Sequence, residues 1–271
     1  MSNFPNGTFT FLPWEVTDGG ACTGGLPSAP VVRVADAEVL EVASGNRSAF
    51  VPVMLDAPAT EDLTVSFYTV SGSAVGGNAP GAGVDFRNWG TPTSPRSVTI
   101  PAGSTQGVIA PPVYGDGVSE GNETFEVKIV SVSGGDYEVA ADDTATVTIL
   151  DADHLGTSDP VITVTNAYAY QGVDGVRKVQ FQVQLNKPAA SEVQVPMGTQ
   201  DGTALAGTDY QARSFTLKLP AGSISKTYDV VLVNGSPTVG TTTFSLSGAV
   251  ASGPLLEELS MTGTGTILAN D

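Results

Sequence analysis

Carboxylates are the most numerous ionisable side chains in this sequence, and they could do several kinds of chemistry. Asp and Glu number 28 against 11 Lys and Arg, a net charge of −17. Residues 31–153 hold 17 acidic and 5 basic side chains, whereas residues 160–271 hold 8 and 6. Clustered carboxylates bind hard cations, act in pairs in glycoside hydrolysis or only keep a protein soluble. Their concentration in the first half favours a site there over general solubility.

Side chains for nucleophilic catalysis are scarce. His154 is the only histidine and Cys22 the only cysteine, so a Ser-His-Asp triad would have to use His154. A single cysteine permits neither an intramolecular disulfide nor a thiolate zinc site. No Gly-x-x-x-x-Gly-Lys-Ser/Thr phosphate loop is present. We therefore expect a structural or binding protein and not an enzyme.

The charge and hydropathy of the chain also limit its partners. A net charge of −17 repels phosphate backbones and anionic membrane surfaces, so we expect no nucleic acid partner. The first residues, Met1–Pro5, have neither a basic region nor a continuous apolar one, and no stretch approaches about 18 apolar residues. We expect neither a classical signal peptide nor a membrane span.

The elements that position the carboxylates are predicted to be β-strands. Apolar residues alternate with polar ones at period two in both halves, which is typical of half-buried strands. The first half has this pattern at 51–55, 65–67, 125–129 and 145–149, and the second half at 179–185, 193–197, 228–232 and 244–246. Together with 32 Gly and 18 Pro, the pattern predicts an all-β fold of short strands and tight turns.

The two halves repeat one another in order. The first copy contributes Leu55-Asp56-Ala57-Pro58, Gly83-Val84-Asp85-Phe86, Pro101-Ala102-Gly103-Ser104 and Thr148-Ile149-Leu150. The second contributes Leu185-Asn186-Lys187-Pro188, Gly207-Thr208-Asp209-Tyr210, Pro220-Ala221-Gly222-Ser223 and Thr266-Ile267-Leu268. A repeat longer than about 100 residues indicates whole duplicated domains rather than a solenoid. We predict domains at 31–153 and 160–271, joined by a linker at 154–159.

Residues 1–30 form a predicted extended arm that precedes the first domain. Gly and Pro are frequent there, and the aromatic residues are Phe4, Phe9, Phe11 and Trp14. Aromatic side chains on a leader of this kind either dock on a partner protein or fold back on the chain itself. Docking on a partner through these four residues is one of our expectations.

The ordered signals resemble the Calx-beta family. They comprise an early glutamate strand, Asp-Gly-Thr-Ala followed by Gly-x-Asp-Tyr, then Pro-Ala-Gly, an acidic loop running into Glu-x-Phe, and a closing Thr-x-Thr-Ile-Leu. The second signal is clearest at residues 201–210, and the two copies cover nearly all of residues 31–271. The resemblance implies two consecutive antiparallel immunoglobulin-like sandwiches whose loops at one end bind Ca²⁺ through carboxylates.

In the first copy, the resemblance supplies a full set of acidic ligands for Ca²⁺. They are Glu41, Asp85, Asp116, Glu120, Glu123, Asp151 and Asp153. One departure is Ser71-Gly72-Ser73-Ala74, where the family has Asp-Gly-Thr-Ala, and a Gly/Pro-rich insertion follows it. Without a cation the carboxylates would repel one another, which makes their clustering physically sensible mainly with a metal. The alternative is that they lie apart as solvated loop acids.

The second copy departs from the family at most ligand positions. Gln171 replaces the early glutamate, Gly235, Val239 and Thr242 replace the loop acids, and Ala269-Asn270 follow the last strand, while Asp209 and Asp271 remain. Two carboxylates are too few for a strong site. We therefore expect Ca²⁺ to bind the second domain weakly or not at all.

Two functions fit these features. The first is a structural component of a surface assembly, in particular a phage capsid decoration or tail protein, made in the cytoplasm and exposed to extracellular Ca²⁺ on the virion. The second is a Ca²⁺-dependent adhesin module that binds a protein or a cell-surface glycan. Trp89 could offer a stacking platform for sugar, although packing against the core is the more common role of such a residue.

Overall fold

The structure is a computed structural model that describes residues 31–141, 143–156, 158–171, 176–233, 240–250, 252–254 and 256–269. The four aromatic residues of the predicted arm and the loop at 234–239 lie outside the described residues. Within the described part of the chain, no helix is long and apolar enough to cross a membrane.

The described part of the first half contains thirteen strands, most of them short. They are β1 (Val31–Val34), β2 (Ala37–Leu40), β3 (Gly45–Ser48), β4 (Val51–Leu55), β5 (Leu63–Ser71), β6 (Gly76–Gly77), β7 (Phe86–Arg87), β8 (Arg96–Ile100), β9 (Gln106–Ile109), β10 (Pro112–Gly115), β11 (Glu123–Ser133), β12 (Glu138–Val139) and β13 (Thr144–Leu150). A 3₁₀ turn, Asp153–Leu155, follows β13.

The described part of the second half contains nine strands. They are β14 (Val161–Val164), β15 (Ala167–Tyr170), β16 (Lys178–Leu185), β17 (Val193–Asp201), β18 (Ser214–Leu219), β19 (Ser225–Val231), β20 (Thr242–Gly248), β21 (Glu257–Ser260) and β22 (Thr262–Leu268). The predicted all-β class is confirmed.

Each half folds as a sandwich. In the first, the sheet β12-β1-β4-β9 and the sheet β2-β13-β11-β5-β8 enclose the core, and β3, β10, β7 and β6 add a small third sheet. In the second, the sheets are β19-β16-β14-β21 and β15-β22-β20-β17-β18. Buried aliphatic side chains from both sheets form one core in each half. The predicted tandem arrangement is therefore confirmed.

The first strand of each copy is divided between the two sheets. In the first copy, β1 pairs antiparallel with β4, whereas β2 pairs parallel with β13. In the second copy, β14 pairs antiparallel with β16, and β15 pairs parallel with β22. Because β2 and β13 run in parallel, both end at the same pole of the first sandwich.

Aromatic pairs occupy equivalent places in the two cores. Phe86 stacks on Phe125 with ring centroids 4.0 Å apart, and Tyr210 stacks on Phe244 at 4.1 Å. Trp89 packs against the first core, and Arg96 covers its ring at 5.1 Å. The expectation that Trp89 packs, rather than presenting a free sugar platform, is borne out.

Candidate metal centre

Loops at one pole of the first sandwich bring the predicted acids together. Glu41 follows β2, and Asp151 and Asp153 follow its parallel neighbour β13. Glu123 begins β11, which runs antiparallel to β13, so it lies at the same pole. Asp116 follows β10, and Asp85 precedes β7, which pairs with β10. Positions distant in sequence thus meet because of strand direction.

One group of ligand atoms comes from Glu41, Asp151 and Asp153. Their carboxylate oxygens lie within 4.8 Å of one another. Asp151 is 1% exposed, and its Oδ2 accepts the Gly121 amide at 2.9 Å while its Oδ1 accepts the Asp153 amide at 2.7 Å. These bonds fix the buried carboxylate and orient the turn that carries Asp153.

A second group comes from Asp85, Glu120 and Glu123, whose carboxylate oxygens also lie within 4.8 Å of one another. Asp85 is held in place because its Oδ2 accepts the Val75 amide at 2.6 Å. The charge of Asp85 and a hydrogen bond to its carboxylate both raise the pKa of Glu123, after burial. Like charges this close disfavour ionisation when no metal separates them.

The charge of Asp116 acts on both carboxylate groups. Its amide donates to Glu41 Oε1 at 3.4 Å, and its charge raises the pKa of Glu41 in one group and of Glu120 and Glu123 in the other. The structure therefore brings all seven predicted residues to one pole, as two adjoining carboxylate groups with Asp116 close to both. The alternative of separated, solvated loop acids does not describe this arrangement.

The direction of the pKa shifts indicates that ionisation of this pole is unfavourable without a cation. Burial, followed by the charges of Asp153, Asp151 and Asp116, raises the pKa of Glu41 to about 8, although the Asp116 amide opposes the rise. Burial and the neighbouring Asp85 raise the pKa of Glu123 to about 7. Burial and the surrounding acids also raise that of Glu120. The cluster opposes its own ionisation, as expected of a site that a cation neutralises.

The donor set fits a hard divalent cation. All seven groups offer carboxylate oxygen, the ligand that Ca²⁺ and Mg²⁺ prefer, and acids from several separate loops suit the variable coordination of Ca²⁺ better than the strict octahedron of Mg²⁺. Each group of three brings carboxylate oxygens within 4.8 Å of one another, and the charge of Asp116 acts on both groups. Asp151 is best placed to be a fixed ligand because it is buried and doubly hydrogen-bonded.

The equivalent pole of the second sandwich keeps the same backbone arrangement, but its described residues include fewer carboxylates. Gln171 takes the place of Glu41, and its amide donates to Leu268 O at 2.8 Å as that of Glu41 does to Leu150 O at 3.0 Å. Asp209 takes the place of Asp85, and its Oδ2 accepts the Leu205 amide at 2.7 Å. Within the described residues, three-carboxylate groups occur only in the first sandwich. The loop with Gly235 and Val239, and Asp271, lie outside the described residues.

One carboxylate near the second pole has a different role. Asp201 Oδ1 accepts the Tyr210 hydroxyl at 2.6 Å and the Ala206 amide at 2.9 Å. Burial and this bond raise the pKa of Tyr210 to about 12. In the first sandwich, Ser71 and Phe86 occupy the corresponding places. Asp201 is thus engaged with a core tyrosine.

Sequence reasoning missed several residues around the metal centre. Asn122 accepts the Asp151 amide at 3.0 Å. Ser119 belongs to a Gly117-x-Ser119-x-Gly121 sequence, the pattern of a catalytic nucleophile turn, but strand β11 follows it instead of a helix. Its hydroxyl lies 3.5 Å from Asp151 Oδ2, which makes it part of the acidic loop. The acid-rich spacing of that loop was the available signal for all of these residues.

Comparisons with known proteins place these observations in a family. The sequence model of the Calx-beta domain matches residues 28–153 and 157–271. No curated protein matches the chain. Solved structures similar to it include CBD12 from CALX1.2, with 18% identity over 88% of this chain and 99% of that one and a TM-score of 0.33. The calcium binding domain CBD12 of CALX1.1 has 20% identity over 80% and 78%, with a TM-score of 0.34.

A third similar structure is the apo form of the Calx CBD1 domain, with 21% identity over 45% of this chain and 97% of that one and a TM-score of 0.34. The two family matches together span almost all of the described residues and coincide with the two sandwiches. This chain therefore belongs to the Calx-beta family, with two domains in tandem.

Proposed function

We propose that this chain is a non-enzymatic structural protein whose first sandwich binds Ca²⁺ at the carboxylate pole, while the second serves as a scaffold with a weak site or none. The observation that carries the proposal is the pair of three-carboxylate groups, each within 4.8 Å. Calx-beta domains are binding modules, and the solved relative from CALX1.1 is described as a calcium binding domain. Ca²⁺ would neutralise the acids and join loops that otherwise repel one another.

Calorimetric titration of Ca²⁺ into chelator-treated protein tests the proposal. Asp116→Asn/Glu120→Gln removes one acid near both groups and one from the second group, so we expect Ca²⁺ affinity to fall at least tenfold or binding to be lost. The control is Asp136→Asn/Glu138→Gln, which makes the same charge change with exposed residues beyond the far end of β11. Equal affinity in both double variants, or no binding at millimolar Ca²⁺, would refute a site at this pole.

Within this class we favour a component of an extracellular assembly, with a phage capsid decoration or tail protein as the preferred case. Carboxylate sites of extracellular modules fill at about 10⁻⁴–10⁻³ M Ca²⁺, and a rigid acidic sandwich suits a spacer or clamp on a particle. In the native source, the protein should sediment with particles in a density gradient. Recovery with the cell envelope instead would support the adhesin.

A docking role for the arm belongs to the same proposal. Deletion of residues 1–28 should release the protein from its particle while leaving both sandwiches folded, because each sandwich has its own core. Retention of the truncated protein on the particle would remove Phe4, Phe9, Phe11 and Trp14 from consideration.

A groove between the sandwiches favours the second candidate, a ligand-binding module. It has a volume of about 190 Å³, and its lining includes Asp36, Glu38, Phe50, Asn166 and Tyr168. Carboxylates, an amide and aromatic rings in one concave site can hold a sugar or another polar ligand. Screening against a glycan array, with Phe50→Ala as the comparison, distinguishes this module from a purely structural role.

A further inference from the structure

The two sandwiches contact each other through a surface that we call the domain interface. The first sandwich contributes β2, the Leu55 end of β4 and Arg47. The second contributes β15, the Leu185 end of β16 and Arg177. Arg47 is 7% exposed and Arg177 3%. Small apolar clusters, among them one of Ala35, Met54 and Tyr170, bridge the two halves. A polar bridge joins Glu38 to Asn166, whose side-chain amide donates at 2.7 Å.

Both arginines of the domain interface bind backbone carbonyls of the opposite sandwich. Arg47 donates from Nη2 to Leu185 O and, at 2.9 Å, to Ile224 O. Arg177 donates from Nη1 to Leu55 O at 2.7 Å and from Nη2 to Asp56 O at 2.5 Å. The planar fork of a guanidinium suits paired carbonyls, which a lysine ammonium would not match.

These contacts are reciprocal in the repeat. Leu55 and Leu185 are 130 positions apart, and so are Arg47 and Arg177. Each arginine therefore binds the carbonyl of the residue equivalent to the one that its counterpart binds. Arg47 binds Leu185, and Arg177, the equivalent of Arg47, binds Leu55, the equivalent of Leu185. Reciprocal contacts of this kind define an isologous, two-fold interface.

A second pair of contacts obeys the same relation. Met54 packs with Tyr170, and the equivalents of these residues are Gln184 and Leu40. Gln184 Oε1 accepts the Leu40 amide at 2.7 Å and Arg47 Nη1 at 3.1 Å. The Met54–Tyr170 contact is thus apolar, whereas the equivalent Gln184–Leu40 contact is polar. Two copies related by an approximate two-fold axis keep equivalent contact positions while their side chains diverge.

We infer that the domain interface is a self-complementary docking surface whose partner is a second Calx-beta sandwich, here the other half of the same chain. Association through it depends on the two arginines and does not require the linker or a metal ion. The inference is independent of the proposed function, because the interface uses neither of the carboxylate groups.

The metal centre nevertheless adjoins this surface. Leu40, which precedes the ligand Glu41, bonds to Gln184, and the Ala43 amide donates to Asn186 O at 2.9 Å. A metal-dependent contact between the sandwiches is therefore the competing explanation, and the experiment must separate the two.

Cleavage of the linker in the full chain provides the test. A protease site placed between Thr157 and Ser158 allows the folded protein to be nicked and then analysed by size-exclusion chromatography at micromolar concentration, with Ca²⁺ and with chelator. We expect the halves to co-elute in both. In each of the single variants Arg47→Met and Arg177→Met, the nicked halves should separate, because the affinity between the halves falls at least a hundredfold.

Controls make the outcomes decisive. Arg87→Met and Arg213→Met remove exposed arginines, one from each sandwich, and should leave the halves together. Circular dichroism before nicking reports folding, and if an arginine variant does not fold, Gln184→Met gives the second sandwich the residue that the first has there and should also weaken association. Separation of the wild-type halves with chelator, or wild-type affinity in the folded variants, would overturn the inference.

Discussion

At the scale of single residues, Glu41 shows most clearly what the acidic pole costs the protein. Its pKa is raised from 4.5 to about 8, first by burial and then by the charges of Asp153, Asp151 and Asp116. At pH 7 the metal-free protein therefore holds a proton there that the unfolded chain releases. A cation of high charge replaces that proton.

This shift predicts the pH dependence of metal-free stability. A folded-state pKa above the unfolded value gives a stability that is fully present below pH 4.5 and is lost as pH rises through about 8. We expect chelated protein to melt at a lower temperature at pH 9 than at pH 6. Glu41 is partly exposed, so solvent screening limits its share to on the order of 1–2 kcal/mol.

Thermal melts of Glu41→Gln check the assignment. This variant should lose part of the decline between pH 6 and pH 9, whereas Glu138→Gln, an exposed acid at the other pole, should keep the wild-type profile. Saturating Ca²⁺ should stabilise more at pH 9 than at pH 6, because binding requires ionised ligands. A flat wild-type profile in chelator would contradict the raised pKa.

At the scale of elements, the close approach of β10 to the loop after β2 positions the metal centre. A Cβ at Gly115 would lie 1.5 Å from Val42 O, a backbone atom that cannot move aside alone. Gly115 pairs with Gly45 and is followed directly by Asp116. The absence of a side chain at Gly115 therefore lets the loops that carry Glu41 and Asp116 meet.

Gly115→Ala should accordingly separate these loops. We expect it to destabilise the first sandwich by about 2–3 kcal/mol and to weaken Ca²⁺ binding at least tenfold, measured by chemical denaturation in chelator and by calorimetry. Gly198→Ala is the matched control, since β17 leaves its Cβ an ordinary contact of 3.7 Å to Arg213 O. Unchanged Ca²⁺ affinity in Gly115→Ala would mean that the loops do not depend on this approach.

The strands were largely predictable from sequence, and their partners were not. Alternation at 125–129 correctly predicts part of β11, because every second side chain there is buried. Period two does not reveal that β1 and β2 join different sheets or that β2 runs parallel to β13. The convergence of the acids at one pole was expected only through the family resemblance, since spacing alone does not determine which loops meet.

At the scale of the whole molecule, comparison of the two repeats indicates residues with a shared structural role, which composition alone does not. Most of the candidate ligand acids of the first copy do not recur in the second, but Arg47 and Arg177 occupy the same repeat position. A basic residue kept where other charges diverge indicated a shared structural role. That the two arginines face opposite sandwiches could not be read from the sequence, because it depends on how the domains dock.

The two sandwiches should respond differently to Ca²⁺. Differential scanning calorimetry measures this difference as separate changes in their melting temperatures. Binding at a free Ca²⁺ concentration of about 100 times the dissociation constant adds about 2.7 kcal/mol to the stability of the sandwich that holds the site, which corresponds to a rise in melting temperature of about 10 °C for a domain of this size. When the second sandwich unfolds, the first stays folded with Ca²⁺ bound. The free energy of unfolding the second sandwich therefore does not depend on Ca²⁺. One transition should therefore rise while the other stays.

Two variants locate the response. Asp116→Asn/Glu120→Gln should abolish the rise. Arg177→Met should lower the transition of the second sandwich without changing the Ca²⁺ shift of the first, since Arg177 donates to the backbone carbonyls of Leu55 and Asp56 at the end of β4. If both transitions rose equally with Ca²⁺ in the wild type, the ion would have to bind both sandwiches or lie between them, and the division of the chain into one metal-binding domain and one scaffold would be wrong.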